Sequence, residues 1–207
     1  MGTYLNRQAA AAILGAAAAA GPRRGTTTVV AIDGPAGSGK TTLAGAVETL
    51  ALEGPWARVQ VLAMDDLYPG WTGLRAGGDL LRRRVLAPLA RGEAGSYERY
   101  DWHAGRYAET HEVPGGGLLV VEGVGSVRTG HAAWLSVVVE VREPDAATRL
   151  RRWRERDGPD ADAHAPAWIA AEDALHAETR LADLATIRLD GHGRLVEGNV
   201  RSREQRA

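Results

Sequence analysis

The chain has 207 residues, 44% of them hydrophobic, and a formal net charge of −1 from 25 basic and 26 acidic side chains. That length supports one well-buried core with an appendage, and the balanced charge argues against a mainly electrostatic nucleic-acid binder. With no cysteine in the chain, disulfides, thiolate metal sites and a cysteine nucleophile are excluded.

Residues 9–20 form an Ala-rich run preceded by a single basic residue, Arg7. The run is too weakly apolar for a membrane span, so the reading is a helix on the domain edge, beginning near Asn6 and closing at Gly21-Pro22. Residues 1–25 are thereby set apart from a main domain over 26–207. The chain has no other long apolar segment, and a soluble cytoplasmic protein with no membrane partner is expected.

Residues 28–32 read as a buried strand that feeds Gly34-Pro35-Ala36-Gly37-Ser38-Gly39-Lys40-Thr41-Thr42. This stretch fits the phosphate-binding pattern of a Gly, four free positions, then Gly-Lys-Ser/Thr. Glycines let the backbone turn so that successive N–H groups point inward, and Lys40 brings a mobile positive charge to the β- and γ-phosphates. The Thr41 hydroxyl suits Mg²⁺. Leu43, Val47 and Leu50 follow at helical spacing, so a helix N-terminus faces the phosphates. The loop implies a bound nucleoside triphosphate without saying what is done with it.

After Gly54-Pro55, residues 59–64 read as a second strand that ends on Asp65-Asp66, at the sheet edge where ligands bind in open α/β folds. A turn or helix cap is the plainer reading of such acids, but Tyr68 and Trp71 close behind suit a small-molecule pocket. Asp79 reads as the N-cap of a helix over 80–91, with Leu81, Val85 and Leu89 on one face, Pro88 bending it and Arg82-Arg83-Arg84 on the solvated side. Residues 97–107 are dense in aromatic and hydrogen-bonding groups and poor in periodicity, and read either as a ligand-holding loop or as an irregular surface loop.

Residues 118–121 read as a third strand ending on Glu122, placed to hold Mg²⁺ directly or through water. Residues 135–141 and 186–189 supply a fourth and a fifth. Five strands alternating with helices predict a mostly parallel sheet in three layers, with helices on both faces. Between the last two strands, Arg149, Arg151, Arg152, Arg154 and Arg156 crowd one helix. They read either as a solvated face or as a phosphate clamp, in a lid over residues 149–166 whose tip or hinge is residues 158–166. Trp168, Ala171, Leu175 and Ala182 are expected to line a closing helix.

Over residues 28–190 this ordered set resembles the uridine kinase-like branch of the P-loop small-molecule kinases, whose relatives include phosphoribulokinase and bacterial pantothenate kinase. Asp65-Asp66-Leu67-Tyr68 matches the acid and aromatics that end the family's second strand, with Leu67 in place of the usual Phe. Tyr100-Asp101-Trp102-His103 with Arg106 is similar to its Tyr-Asp-aromatic segment, although His103 stands closer than is usual. Glu122-Gly123 matches its third-strand acid, and the run from Asp145 through Arg149, Arg151-Arg152 and Arg156-Asp157 its arginine-rich lid.

The resemblance implies a P-loop fold and an enzyme that uses ATP and Mg²⁺ to phosphorylate a hydroxyl of a small molecule, foremost a nucleoside. Asp65 accepts or orients the hydroxyl proton, Lys40 and the loop hold phosphates, Thr41 and Glu122 serve Mg²⁺, and Arg152 and Arg156 neutralise charge in the transition state. Asp65, Tyr68, Tyr100, Asp101, His103 and Arg106 would meet the acceptor. The alternatives are an ATPase or nucleotide switch with no acceptor, and a nucleoside monophosphate kinase using Arg75, Arg99 or Arg106. No nucleic-acid partner is expected, and a homo-oligomer is left open.

Overall fold

The computed structural model describes residues 2–158 and 160–196. Its centre is β1 (Thr27–Asp33), buried along its whole length. The other sheet strands are β2 (Val59–Ala63), β5 (Gly117–Glu122), β6 (Val137–Arg142) and β7 (Ile187–Asp190). All pair in parallel, in the order β2-β5-β1-β6-β7. The register aligns Ala63, Glu122 and Ile32 in one row at the C-terminal edge of the sheet. Asp33 comes one residue past that row and Asp65 two, so three acids reach the same edge.

Strand alternation sends side chains to two cores. Val30, Ile32, Leu118, Val120, Val137 and Val139 face helices α1 (Gly2–Ala20) and α2 (Lys40–Leu52). On α1, Ala9, Ala10, Ile13 and Ala17 form the buried stripe, against Leu43, Ala44, Val47 and Ala51 of α2. Val29, Ala31, Leu119, Val121 and Val138 face the opposite layer. There lie α3 (Leu74–Leu80), a π-helical turn (Leu81–Leu86) and α4 (Ala87–Ala90), with α5 (Ala146–Asp157), α6 (Asp160–Thr179) and the short α7 (Leu181–Leu184). The three-layer parallel architecture expected from the sequence is present. No helix among the described residues is long and apolar enough to cross a membrane.

Several local expectations are corrected. The helix read from Leu80 starts at Leu74 with Gly73 as its N-cap, so Asp79 lies inside it. The π-helical turn precedes Pro88, which sits in the first turn of α4, where its missing N–H costs no bond. Residues 97–107 belong to an antiparallel hairpin of β3 (Gly95–Asp101) and β4 (Arg106–Val113), closed where the Asp101 carboxylate accepts from the His103 and Ala104 amides.

The segment read as a lid tip is largely the first turns of α6, which carries Pro166 within it and is rich in alanine, the strongest helix former. Finally, the buried face of α6 runs through Ala165, Trp168, Glu172, Leu175 and Thr179, while Ala171 is exposed. A buried carboxylate occupies the position where an apolar residue was expected. The helix also breaks at Arg180, whose φ of 52° is left-handed, so Ala182 lies in α7.

Candidate active site

The loop from Asp33 to Lys40 is held from beneath by two buried acids. Asp33 accepts from the amides of Gly34 (2.7 Å), Gly125 (3.1 Å) and Val127 (2.9 Å), and lies 3.1 Å from His176 Nε2. Burial opposes the His176 imidazolium, but the Asp33 hydrogen bond and charge, with Glu172, outweigh it and raise its pKa. Glu172 accepts from the Ala36 amide at 2.9 Å and from Arg149 Nη1 at 3.0 Å. Burial raises its pKa against those partners. Gly37 shows how closely α5 rests on the loop: with φ at 73°, a Cβ there would lie 2.3 Å from the Arg149 carbonyl oxygen.

Gly39 takes the N-cap position of α2 with φ at 100°, and no side chain caps that end. The first-turn amides therefore lack acceptors within the helix, and the positive end of its dipole is left for an anion. The Ser38 hydroxyl is buried without a hydrogen-bond partner among the described residues, and an anionic oxygen would satisfy it. Lys40 is nearly buried and donates to the Pro35 carbonyl at 2.9 Å. Burial lowers its pKa, with Glu122, Asp33, Glu172 and Asp65 acting to keep it charged.

Beside Lys40 and Thr41 opens a cavity of about 460 Å³, within the size range of small-molecule sites. Thr41 Oγ1 donates to Glu122 Oε1 at 3.1 Å, and burial raises the Glu122 pKa against the charge of Lys40. This all-oxygen pair fits Mg²⁺, which takes most of its ligands from phosphate and water. Among the described residues no group of three or more His, Cys, Asp or Glu side chains could hold a metal alone.

Asp65, with its side chain 50% exposed, lines the cavity at the end of β2, and its carbonyl accepts from Trp102 Nε1 at 2.9 Å. Trp71, Trp102, Trp153 and Trp168 form the walls, with Trp71 ring centroids 5.0 to 6.3 Å from the other three. His164 stacks on Trp71 at 4.7 Å. Arg156 also lines the cavity. It donates to both oxygens of Asp157 at 2.6 and 2.7 Å, and its Nη1 lies 3.7 Å from Asp65 Oδ2. The Asp157 hydrogen bonds raise its pKa, so its charge is secure.

A second cavity, of about 200 Å³, lies on the other side of the loop, against Ser38, Gly39, Thr42, Arg152 and Gly191. An open cleft of about 990 Å³ runs from Gly34 and Pro35 toward α7 but contains none of Lys40, Thr41, Asp65 or Glu122, so its size does not make it the reactive site.

The expected site residues divide. Lys40, Thr41, Asp65, His103, Glu122 and Arg156 meet in the tryptophan-walled cavity. Tyr68 does not line it: fully buried, it donates to the Val124 carbonyl at 2.7 Å and packs edge-on against Trp168. Tyr100 packs on Trp102 and Tyr107, Asp101 closes the hairpin, and Arg106 is exposed opposite it, all off the cavity wall. Arg152 sits at the smaller cavity, donating to the Gly37 carbonyl at 3.3 Å and lying 3.4 Å from Glu143.

Arg151 and Arg154 pair on the exposed side with Glu155 and Asp162. Asp33, Glu172 and His176 were not singled out from the sequence, nor was Trp153 as a wall of the cavity, whereas Trp71 was read as part of a small-molecule pocket. A lone acid and a His four residues apart on an apolar helical face were the available sign for Glu172 and His176.

A parallel sheet in this order, with a glycine-rich phosphate-type loop between its central strand and the next helix, defines the P-loop class of folds. No protein-family model matches the chain, and no curated protein matches it in sequence. In structure it is similar to a protein described as a possible uridine kinase from Bacillus stearothermophilus, with a TM-score of 0.57 and 21% identity over 79% of this chain and 88% of that one. It is also similar to D-glycerate 3-kinase from Cryptococcus neoformans, with a TM-score of 0.52 and 13% identity over 92% and 97% of the two chains. At these identities the likeness shows the fold alone.

Proposed function

We propose that the protein is an ATP- and Mg²⁺-dependent kinase that phosphorylates a hydroxyl of a small ring-bearing molecule, most simply a nucleoside. The observation that carries the reading is one cavity shared by Lys40, the Thr41–Glu122 pair, Asp65 and Arg156, walled by four tryptophans. An uncapped helix end supplies amides for phosphates, and tryptophan faces suit a flat ring. The solved structures of similar fold include proteins described as a possible uridine kinase and a glycerate kinase.

In this reading Asp65 accepts or orients the proton of the acceptor hydroxyl, whose oxygen bonds to the γ-phosphorus while the bond to the β,γ-bridging oxygen breaks and ADP leaves. Lys40 and the α2 amides hold the phosphate oxygens, and Arg156 offsets charge on the transferring group. Mg²⁺ held by Thr41 and Glu122 would neutralise phosphate charge. Arg152, on the far side of the loop, is assigned to the donor's nucleoside end instead of the reacting phosphate. The Arg149–Glu172 pair ties α5 to α6, and with the tryptophan walls it would exclude water once donor and acceptor fill the site.

A monophosphate acceptor is disfavoured because Arg75 and Arg99 are engaged elsewhere, with Glu178 at 2.7 Å and Glu109 at 2.6 Å, and Arg106 lies off the cavity. Release of ADP is measured against nucleosides, nucleoside monophosphates, polyols and no acceptor. Nucleoside-stimulated release is expected. Release that no acceptor changes would instead mark an ATPase or a nucleotide switch, and preference for monophosphates would move the reading to that class of kinase.

A further inference from the structure

The smaller cavity contains a residue from outside the P-loop and its neighbours. Asn6, in the second turn of α1, lines it together with Ser38, Gly39, Thr42, Arg152 and Gly191. Asn6 Oδ1 lies 2.7 Å from where a Cβ on Gly193 would stand, so Asn6 fits against the turn after β7 only because that residue is glycine. Gly193 has φ at 82°, which keeps the position suited to glycine. No hydrogen bond is formed by the Asn6 side chain with the described residues, although a primary amide carries two donors and an acceptor with two lone pairs. The buried, unpaired Ser38 hydroxyl borders the same space.

The two cavities set the direction of the donor. Asp65, Glu122 and Arg156 lie with Lys40 and Thr41 on one side of the loop, so the reacting end of a nucleoside triphosphate belongs there. Its base must then leave on the other side, past Thr42, where the second cavity begins. We infer that α1 completes the nucleotide site, with Asn6 as a specificity-determining residue that reads the hydrogen-bonding edge of the donor base. The inference rests on the donor being a nucleoside triphosphate, as in the proposed function.

An Asn amide matches adenine, which presents a donor and an acceptor side by side, better than guanine, whose corresponding edge presents two acceptors. Arg152, at the same cavity, offers a planar guanidinium as a surface for the ring. The buried stripe of α1, from Ala9 to Ala17, fixes Asn6 in place by packing on α2, the helix that holds the loop.

The test measures binding of ATP, GTP and inorganic tripolyphosphate, by calorimetry, to the full chain and to Asn6→Ala. Alanine is a better helix former than asparagine, so α1 keeps its packing and an unchanged thermal midpoint is the control. Asn6→Ala is expected to weaken ATP about tenfold and to reduce the preference for ATP over GTP. Its tripolyphosphate affinity should match the parent's.

Gly193→Ala, which displaces the Asn6 amide, should reproduce that pattern. Unchanged ATP affinity and selectivity in Asn6→Ala would overturn the inference, as would equal losses for ATP and tripolyphosphate. A parent that binds tripolyphosphate but not ATP more tightly would overturn it too, while leaving the phosphate loop standing. A parent that binds neither would overturn the proposed function itself.

Discussion

Asp65 and Asp66 are adjacent in sequence but face different surroundings. Asp65 lies on the cavity with Lys40 and Arg156, whereas Asp66 accepts from the Tyr97 hydroxyl at 3.3 Å and has a pKa raised by burial. Asp65→Asn is therefore expected to lower kcat by about 10²- to 10⁴-fold with little change in ATP affinity, while Asp66→Asn leaves kcat within a fewfold. Steady-state kinetics on both variants check this, and the reverse ranking would move the assignment along one residue.

His176 gives a pH test at the same scale. Its folded pKa is raised by Asp33 above the ordinary value of 6.5, so the stabilisation it supplies is complete below that value and lost as pH rises through the folded one. The thermal midpoint of His176→Gln, which keeps a donor for Asp33 but not the charge, should fall short of the parent by more at pH 6 than at pH 9. A deficit independent of pH would mean that folding leaves the His176 pKa unchanged, and a deficit larger at pH 9 that the fold holds the imidazole neutral.

At the scale of elements, α5 sorts its arginines by direction. Arg149 and Arg152 reach Glu172 and the Gly37 carbonyl, and Arg156 reaches the cavity, while Arg151 and Arg154 pair with exposed acids. Exposed pairs of that kind contribute little to stability. Arg156→Ala is expected to reduce turnover by about 10²- to 10³-fold, the usual effect of removing a group that stabilises transition-state charge, and Arg151→Ala to leave it unchanged. Equal effects at the two positions would remove Arg156 from the catalytic assignment.

Helix α1 is a separate case because its buried stripe is mostly alanine, and Ile13 is the one large fully buried side chain among its described residues. Ile13→Ala should destabilise the protein by about 2–5 kcal/mol, read from denaturant midpoints. Little or no loss would mean that α1 is not integral to the fold.

For the whole molecule, the sheet and the loop were legible because their signals are local. Short apolar runs give the buried strands, those of β1, β2 and β5 leading into Asp33, Asp65 and Glu122, and glycine spacing followed by Lys-Thr gives the phosphate loop. The hairpin of β3 and β4 was not legible, since β4 is largely exposed and its polar sequence carries no alternation to read. The same holds for Glu172 and Asp33, whose partners stand 136 and 92 positions away along the chain. Tyr68 illustrates the opposite error: an aromatic beside paired acids in sequence turned inward and became part of the core.

The central claim is that the loop and the tryptophan-walled cavity act together to move a phosphoryl group onto an acceptor. ATP labelled on its γ-phosphate, incubated with a nucleoside mixture, tests it most directly. The parent protein should deposit label on a nucleoside, and Lys40→Ala, which removes the charge at the phosphates, should deposit essentially none while keeping the parent's thermal midpoint. Label released only as inorganic phosphate, at a rate no acceptor changes, would contradict the claim.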